Sequence, residues 1–138
     1  MTAFQQTFQI STRGHCDVLD ITAKVARVVS ESKVTTGIVN VSGRGSTLGI
    51  TTIEFEPGAV HDLRALLDRL IPPGGDYRHN ALNHDTNAHA HLRAALVGPS
   101  ESVPIVGGRL TLGTWQQIVL VDFDDRPRER QVTVQVLS

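Results

Sequence analysis

Phe4, Phe8 and Ile10 occupy even positions of the first segment, while Gln5, Thr7, Gln9 and Ser11 occupy odd ones. A period of two places one face of a strand against a core, so a half-buried strand is predicted over residues 4–12. From Asp20 the period lengthens. Ile21, Val25 and Val28, filled in by Ala23 and Ala26, predict a helix ending near Lys33 with Asp20 as its cap. Two β-branched runs, Thr35 to Ser42 and Ser46 to Phe55, read as adjacent strands joined by a tight turn at Gly43-Arg44-Gly45. Pro57 suits a first helical turn, and Val60, Leu63, Leu66, Leu67 and Leu70 recur at spacings of three and four. They predict a helix over residues 58–70, stopped by Pro72-Pro73-Gly74-Gly75.

The polar segment from Asp76 to Thr86 reads as a loop, and Asn87 as the cap of a helix reaching about Val97, where Gly98-Pro99-Ser100 breaks it. Val103 to Val106 and Arg109 to Leu112 flank Gly107-Gly108, the signal of a hairpin with a type I′ turn. Strands at Gln116 to Phe123 and Gln131 to Leu137 close the chain, and in a monomer they are expected to be exposed edges that self-association would cover. The predicted order is β-α-β-β-α-α-β-β-β-β, with about three helices and mainly antiparallel sheets. This is the α+β class. No repeat or linker marks a boundary, so one domain is expected over residues 1–138.

Composition narrows the function classes. Of 138 residues 40% are hydrophobic, enough for a core without disulfide or metal staples. Thirteen Lys+Arg against fourteen Asp+Glu give a net charge of −1, and no basic run is present, so no nucleic-acid partner is expected. No apolar stretch approaches the roughly 18 residues a membrane span needs, and Met1 to Gln6 lacks the order of a signal peptide. A cytoplasmic protein without a membrane partner is expected. The single cysteine, Cys16, excludes an intrachain disulfide and a site of several thiolates, and reads as a small apolar residue.

Candidate chemistry gathers in the second half. His79, His84, His89 and His91 fall close together, with Asn80, Asp85 and Asn87 among them. Neutral imidazoles suit a divalent metal, zinc foremost, with His79, His89 and His91 as ligands or His84 as the alternative. On a helix His89 and His91 would point about 200° apart, so they share a metal only where the backbone is not yet helical. Metal-free acid/base work, or structural hydrogen bonds with the remaining imidazoles solvated, are the other readings. The helix start after Asn87, supplemented by Arg44, Arg78 and Arg93, offers an anion site. The Gly43-Arg44-Gly45-Ser46-Thr47 turn lacks the P-loop spacing and lysine, yet its amides and hydroxyls can contact an oxyanion. Glu54 and Glu56, two apart on a predicted strand, share a side of the sheet. They read as a carboxylate pair or as a solvated strand end. Trp115 is expected to pack in the core or an interface, and Gln116 to reach a ligand or a neighbouring subunit.

Tyr77-Arg78-His79-Asn80, Asn87-Ala88-His89-Ala90-His91-Leu92-Arg93 and Leu96-Val97-Gly98-Pro99-Ser100 are followed by Val103-Pro104-Ile105, Gly108-Arg109-Leu110, Leu112-Gly113-Thr114-Trp115-Gln116-Gln117-Ile118 and Asp122-Phe123-Asp124. With these motifs in this order the chain resembles the YjbQ family, well over residues 35–138 and more loosely before them. The resemblance implies a compact α+β fold, a homotrimer with a polar site near the subunit interfaces, and a link to weak thiamine-phosphate synthase activity. That reaction joins hydroxymethylpyrimidine diphosphate to thiazole phosphate and releases pyrophosphate. Many members carry His-Thr-Ser/Thr-Ala where this chain reads Gly45-Ser46-Thr47-Leu48, so chemistry needing that histidine is lost here. Glu54 matches the acidic residue of the family's strand.

The expectation is therefore a homotrimeric protein acting on a phosphorylated small molecule. His79 and His91 would be metal ligands or proton carriers, Glu54 and Asp85 their carboxylate partners, and Arg44, Ser46, Thr47, Asn87 and Gln116 the ligand-binding set. The alternative is a non-catalytic protein that binds or senses a metal or a phosphorylated metabolite.

Overall fold

A computed structural model describes residues 3–138 and places every sheet pairing antiparallel. In chain order the elements are β1 (Ala3–Thr12), β2 (Asp17–Asp20), α1 (Thr22–Ser32), β3 (Thr36–Gly43), β4 (Leu48–Ile53), α2 (Pro57–Leu70), α3 (Arg78–Asn83), α4 (Ala88–Val97), β5 (Ser100–Val106), β6 (Arg109–Leu110), β7 (Gln117–Asp122) and β8 (Arg128–Leu137). They form a five-stranded sheet, β1-β8-β3-β5-β6, and a three-stranded sheet, β2-β7-β4. The α+β class predicted from the sequence holds.

Burial periodicity explains the layering. Val132, Val134 and Val136 of β8, Val39 and Val41 of β3, and Val103 and Ile105 of β5 turn inward with a period of two. They meet Leu48 and Ile50 of β4 and Ile118 and Leu120 of β7, while Val25, Val28 and Val29 of α1 join the same core. The odd residues of β7, Val119 and Val121, face a second core built with Val60 and Leu67 of α2 and Ala90 and Ala94 of α4. Strand β7 is thus buried on both faces, which is why its sequence Ile118-Val119-Leu120-Val121 is apolar without alternation.

Several expectations need correction. β3 and β4 are not a hairpin, because residues 43–48 carry the chain from the large sheet to the small one. The closing strands are not edges: β7 lies between β2 and β4, and β8 between β1 and β3. Strand β2 is an additional element, and the short helix α3, inside the expected loop 76–86, brings the described helices to four. Helix α1 starts one residue later than its expected cap implies, although Asp20 Oδ1 still accepts the Thr22 amide at 2.9 Å. The hairpin turn is as expected, Gly107 and Gly108 having φ of 58° and 77°, and β6 is only Arg109–Leu110.

Candidate functional site

Of the six passages of the chain between the two sheets, three run through residues 12–17, 43–48 and 122–128. The registers place all three crossings at one end of the molecule. Thr12 pairs with Arg128, Gly43 with Val132, and Asp122 with both Asp17 and Leu48. Strands leaving a sheet leave backbone groups without ladder partners, and here carboxylates accept them. Asp17 Oδ2 accepts the Arg13 amide, Asp122 Oδ1 that of Asp124, and Asp124 Oδ1 that of Asp125.

Buried charges tie this end together. Asp122 continues the inward face of Ile118 and Leu120, and Arg130 that of Val132, so the two meet across the sandwich where the apolar core stops. Arg130 donates from Nε and Nη2 to the two oxygens of Asp122 at 2.7 and 2.9 Å, and from Nη2 to Thr47 Oγ1 at 2.7 Å. Thr12 Oγ1 donates to Asp122 at 2.5 Å, and Thr47 Oγ1 to Asp124 at 3.2 Å. Asp124 is buried, which disfavours its charge, yet hydrogen bonds from Arg128, the Asp125 amide and Asn87, with the Arg128 charge, outweigh that and hold its carboxyl far below the ordinary range.

This lattice fixes the 43–47 turn. The amides of Gly43 and Arg44 donate to Pro99 O and Gln131 O. Among the described residues none accepts from the amides of Gly45, Ser46 and Thr47, or from the Ser46 hydroxyl. Gly45 has φ of 150°, a conformation side chains rarely adopt. Between this turn and α4 lies a surface cavity of about 270 Å³, lined by Gly45, Ser46, Leu48, His91, Ala94, Ala95 and Pro99. A larger one of about 460 Å³, between α1 and the β5–β6 hairpin, has Arg109 as its charged side chain and no acid/base pair.

His91 enters the smaller cavity from the first turns of α4 and meets His79 of α3, ring centroids 4.7 Å apart and planes at 49°. Asn80 docks the two helices: its Oδ1 accepts the Ala88 amide and lies 3.0 Å from His79 Nδ1. His89 does not join them. Residues 88–97 are helical, so the condition for sharing a metal with His91 fails, and His89 is 4% exposed with Nδ1 unpartnered. Burial, reinforced by the Arg93 charge, pushes its imidazolium towards the neutral form. His84 is exposed at the αL end of α3. Among the described residues no three His, Cys, Asp or Glu side chains are grouped to hold a metal, so the expected histidine triad is not assembled within one chain.

The other predicted residues divide. Ser46 faces the cavity and Arg44 is exposed at its turn, while the Thr47 hydroxyl is committed to Arg130 and Asp124. Asn87 is buried, donates to Asp124 and makes no side-chain cap; Asn80 serves the helix start instead. Arg93 is also withdrawn, its guanidinium buried on Ile71 O and Asp68. Asp85 is exposed and accepts the Thr86 amide. Glu54 and Glu56 are not on a strand, because β4 ends at Ile53. Glu56 caps α2 through the Gly58 and Ala59 amides, which lower its carboxyl, and Glu54 lines a separate cavity with Trp115. Trp115 is 73% exposed rather than core, and Gln116 braces its own turn, accepting from Gly113 and donating to Thr52.

The sequence matches the family described as UPF0047 protein YjbQ-like over residues 6–138. A UPF0047 protein of Methanothermobacter thermautotrophicus is 38% identical over 99% of this chain and 93% of its own length. The UPF0047 protein YugU of Bacillus subtilis is 32% identical over 96% and 98%. Among solved structures, a YbjQ-like protein of unknown function from Sulfolobus solfataricus superposes with a TM-score of 0.94 at 33% identity, covering 99% of this chain and 98% of that one. A hypothetical protein from Aeropyrum pernix gives 0.90 at 37%, with 97% and 98% covered.

Proposed function

The chain belongs to the YjbQ-like UPF0047 family, and we propose that it acts on a small phosphorylated molecule seated between the 44–47 turn and α4. One observation carries the proposal: the 45–47 turn holds three successive amides and a serine hydroxyl without protein acceptors, and its Gly45 and Ser46 line a cavity entered from α4 by His91, whose ring meets that of His79. Successive amides without acceptors suit an anion with many lone pairs, and Arg44 adds charge at the turn. An imidazole beside the bound anion can pass a proton at neutral pH, so His91 is assigned to the leaving group and His79 to holding its ring.

The reaction proposed is thiamine-phosphate formation. The thiazole nitrogen attacks the exocyclic methylene carbon of the pyrimidine diphosphate, a C–N bond forms, and the C–O bond breaks with its electron pair going to pyrophosphate. The turn receives the developing charge. Two adjacent imidazoles are one short of a three-ligand metal site.

Homotrimeric association is part of the proposal. Leu82 of α3 and Leu92 and Leu96 of α4 are exposed on the helices that bear His79 and His91, so a neighbour packed there would close the cavity. Isotope-traced assays with the two thiamine precursors, alongside light scattering, test the reading. Turnover is expected to fall at least tenfold in Ser46→Ala and His91→Ala. Unchanged turnover in both would remove the assignment. Pyrophosphate binding without turnover would assign a non-catalytic binding or sensing protein instead.

A further inference from the structure

We infer that Arg130 forms the cationic floor of this site, that Gly45 keeps it open, and that the two together select a terminal phosphate or diphosphate. The inference rests on the proposed phosphate reading of the 44–47 turn and adds a ligand-binding residue from a strand that no motif of the site includes.

A guanidinium carries five N–H donors. In Arg130 one on Nε goes to Asp122, and those on Nη2 go to Asp122 and Thr47. The plane is therefore fixed on one edge, and Nη1, on the other, has no acceptor among the described residues. The side chain is 8% exposed, so this is a nearly buried cation with unused donors. It lies under the glycine: a Cβ built on Gly45 would stand 2.7 Å from Nη1 and 3.3 Å from Leu48 Cδ2. Any side chain at position 45 would cover Nη1, and the φ of 150° favours glycine for an independent reason.

The donors then available are the three turn amides, the Ser46 hydroxyl and the two N–H groups of Nη1. A terminal phosphate, with three free oxygens, can use them. A carboxylate or phosphodiester has only two such oxygens and leaves donors unpaired. Apart from His91 the remaining lining, Leu48, Ala94, Ala95 and Pro99, is apolar, so the group esterified to the phosphate is a small uncharged aliphatic or heteroaromatic one.

The test is a pyrophosphate titration of the wild-type protein, labelled with ¹⁵N in the backbone and arginine side chains and observed by NMR. Dimethyl phosphate and acetate serve as controls. Saturable shifts of the 45–47 amides together with the Arg130 guanidinium are expected, with Gly45→Ala binding about tenfold more weakly and both controls at least tenfold more weakly than pyrophosphate. Shifts of the amides alone, with Gly45→Ala binding like wild type, would overturn the role of Arg130 and leave the turn reading intact. No shift in either group would overturn both. If Gly45→Ala does not fold, the wild-type Arg130 resonances decide.

Discussion

Removing either member of the Arg130–Asp122 pair should cost a large part of the protein's stability. Asp122 is fully buried and the Arg130 side chain 8% exposed, and they are joined by two hydrogen bonds of 2.7 and 2.9 Å. In Arg130→Met the Asp122 carboxylate keeps only Thr12 and the Asp124 amide. In Asp122→Asn the guanidinium keeps Thr47 and one amide oxygen, and its nearest remaining negative charge is an Asp124 oxygen at 3.9 Å. Breaking a buried pair from one side costs about 3–5 kcal/mol, because the remaining charge is left in the interior. That is a substantial fraction of the roughly 5–15 kcal/mol that holds a domain folded. The double variant leaves no such charge, so its loss should fall short of the sum of the singles by about 2 kcal/mol. Urea unfolding of all four proteins at one protein concentration measures this, the fixed concentration removing any contribution from association. Strictly additive losses, or a single-variant loss below about 1 kcal/mol, would refute the view that the pair staples the two sheets.

Asp124 makes stability depend on pH in a defined direction. Its folded carboxyl is depressed, so the stabilisation is present above the unfolded value near 3.9 and is lost as pH falls through the folded value; acid titration in fixed urea should show a shallower slope below about pH 4 in Asp124→Asn than in wild type. An identical slope would show that the carboxylate titrates normally. Cys16 is buried and burial raises its thiol, so an aromatic disulfide reagent should find no thiol in the native protein and one per chain in denaturant. His79→Ala should lower turnover or pyrophosphate affinity while changing unfolding free energy by less than about 1 kcal/mol, because the ring is only half-buried; a larger loss of stability would make the pair structural.

Local pattern carried most of the fold. The period of two in β1, the three-four spacing of α2 and the paired glycines before β6 each act within one element, and each formed where expected. The failures concern what one element does relative to another. Two β-branched runs around Gly43-Arg44-Gly45 look alike whether the chain reverses in one sheet or passes to a second, since both need a short bend. The choice was made by pairing partners far along the chain: β3 takes β5 and β8, and β4 takes β7. The same distant pairing buried the two strands expected to be edges. Helix α3 was hidden for a different reason, being six residues of mixed polarity with no buried side chain to set a period.

The candidate site divides along the same line. Ser46, Arg44, His79 and His91 were legible because polar residues in a turn and clustered imidazoles announce chemistry locally. The residues that hold them were missed: Thr47 and Arg130 stand 83 positions apart, and Thr12 and Asp122 110. A signal for them did exist. Asp122 continues the parity of Ile118 and Leu120, and Arg130 that of Val132, Val134 and Val136, so each strand ends with a charge on its apolar face. An ionised group in such a position must find an opposite charge, and two strands ending this way with opposite signs can satisfy each other only by meeting across the core. Applied to β7 and β8, that reasoning joins the two sheets at one end and brings Arg130 to the 44–47 turn. Gly45, first noticed as a missing histidine, is then the residue whose lack of a side chain leaves Nη1 uncovered.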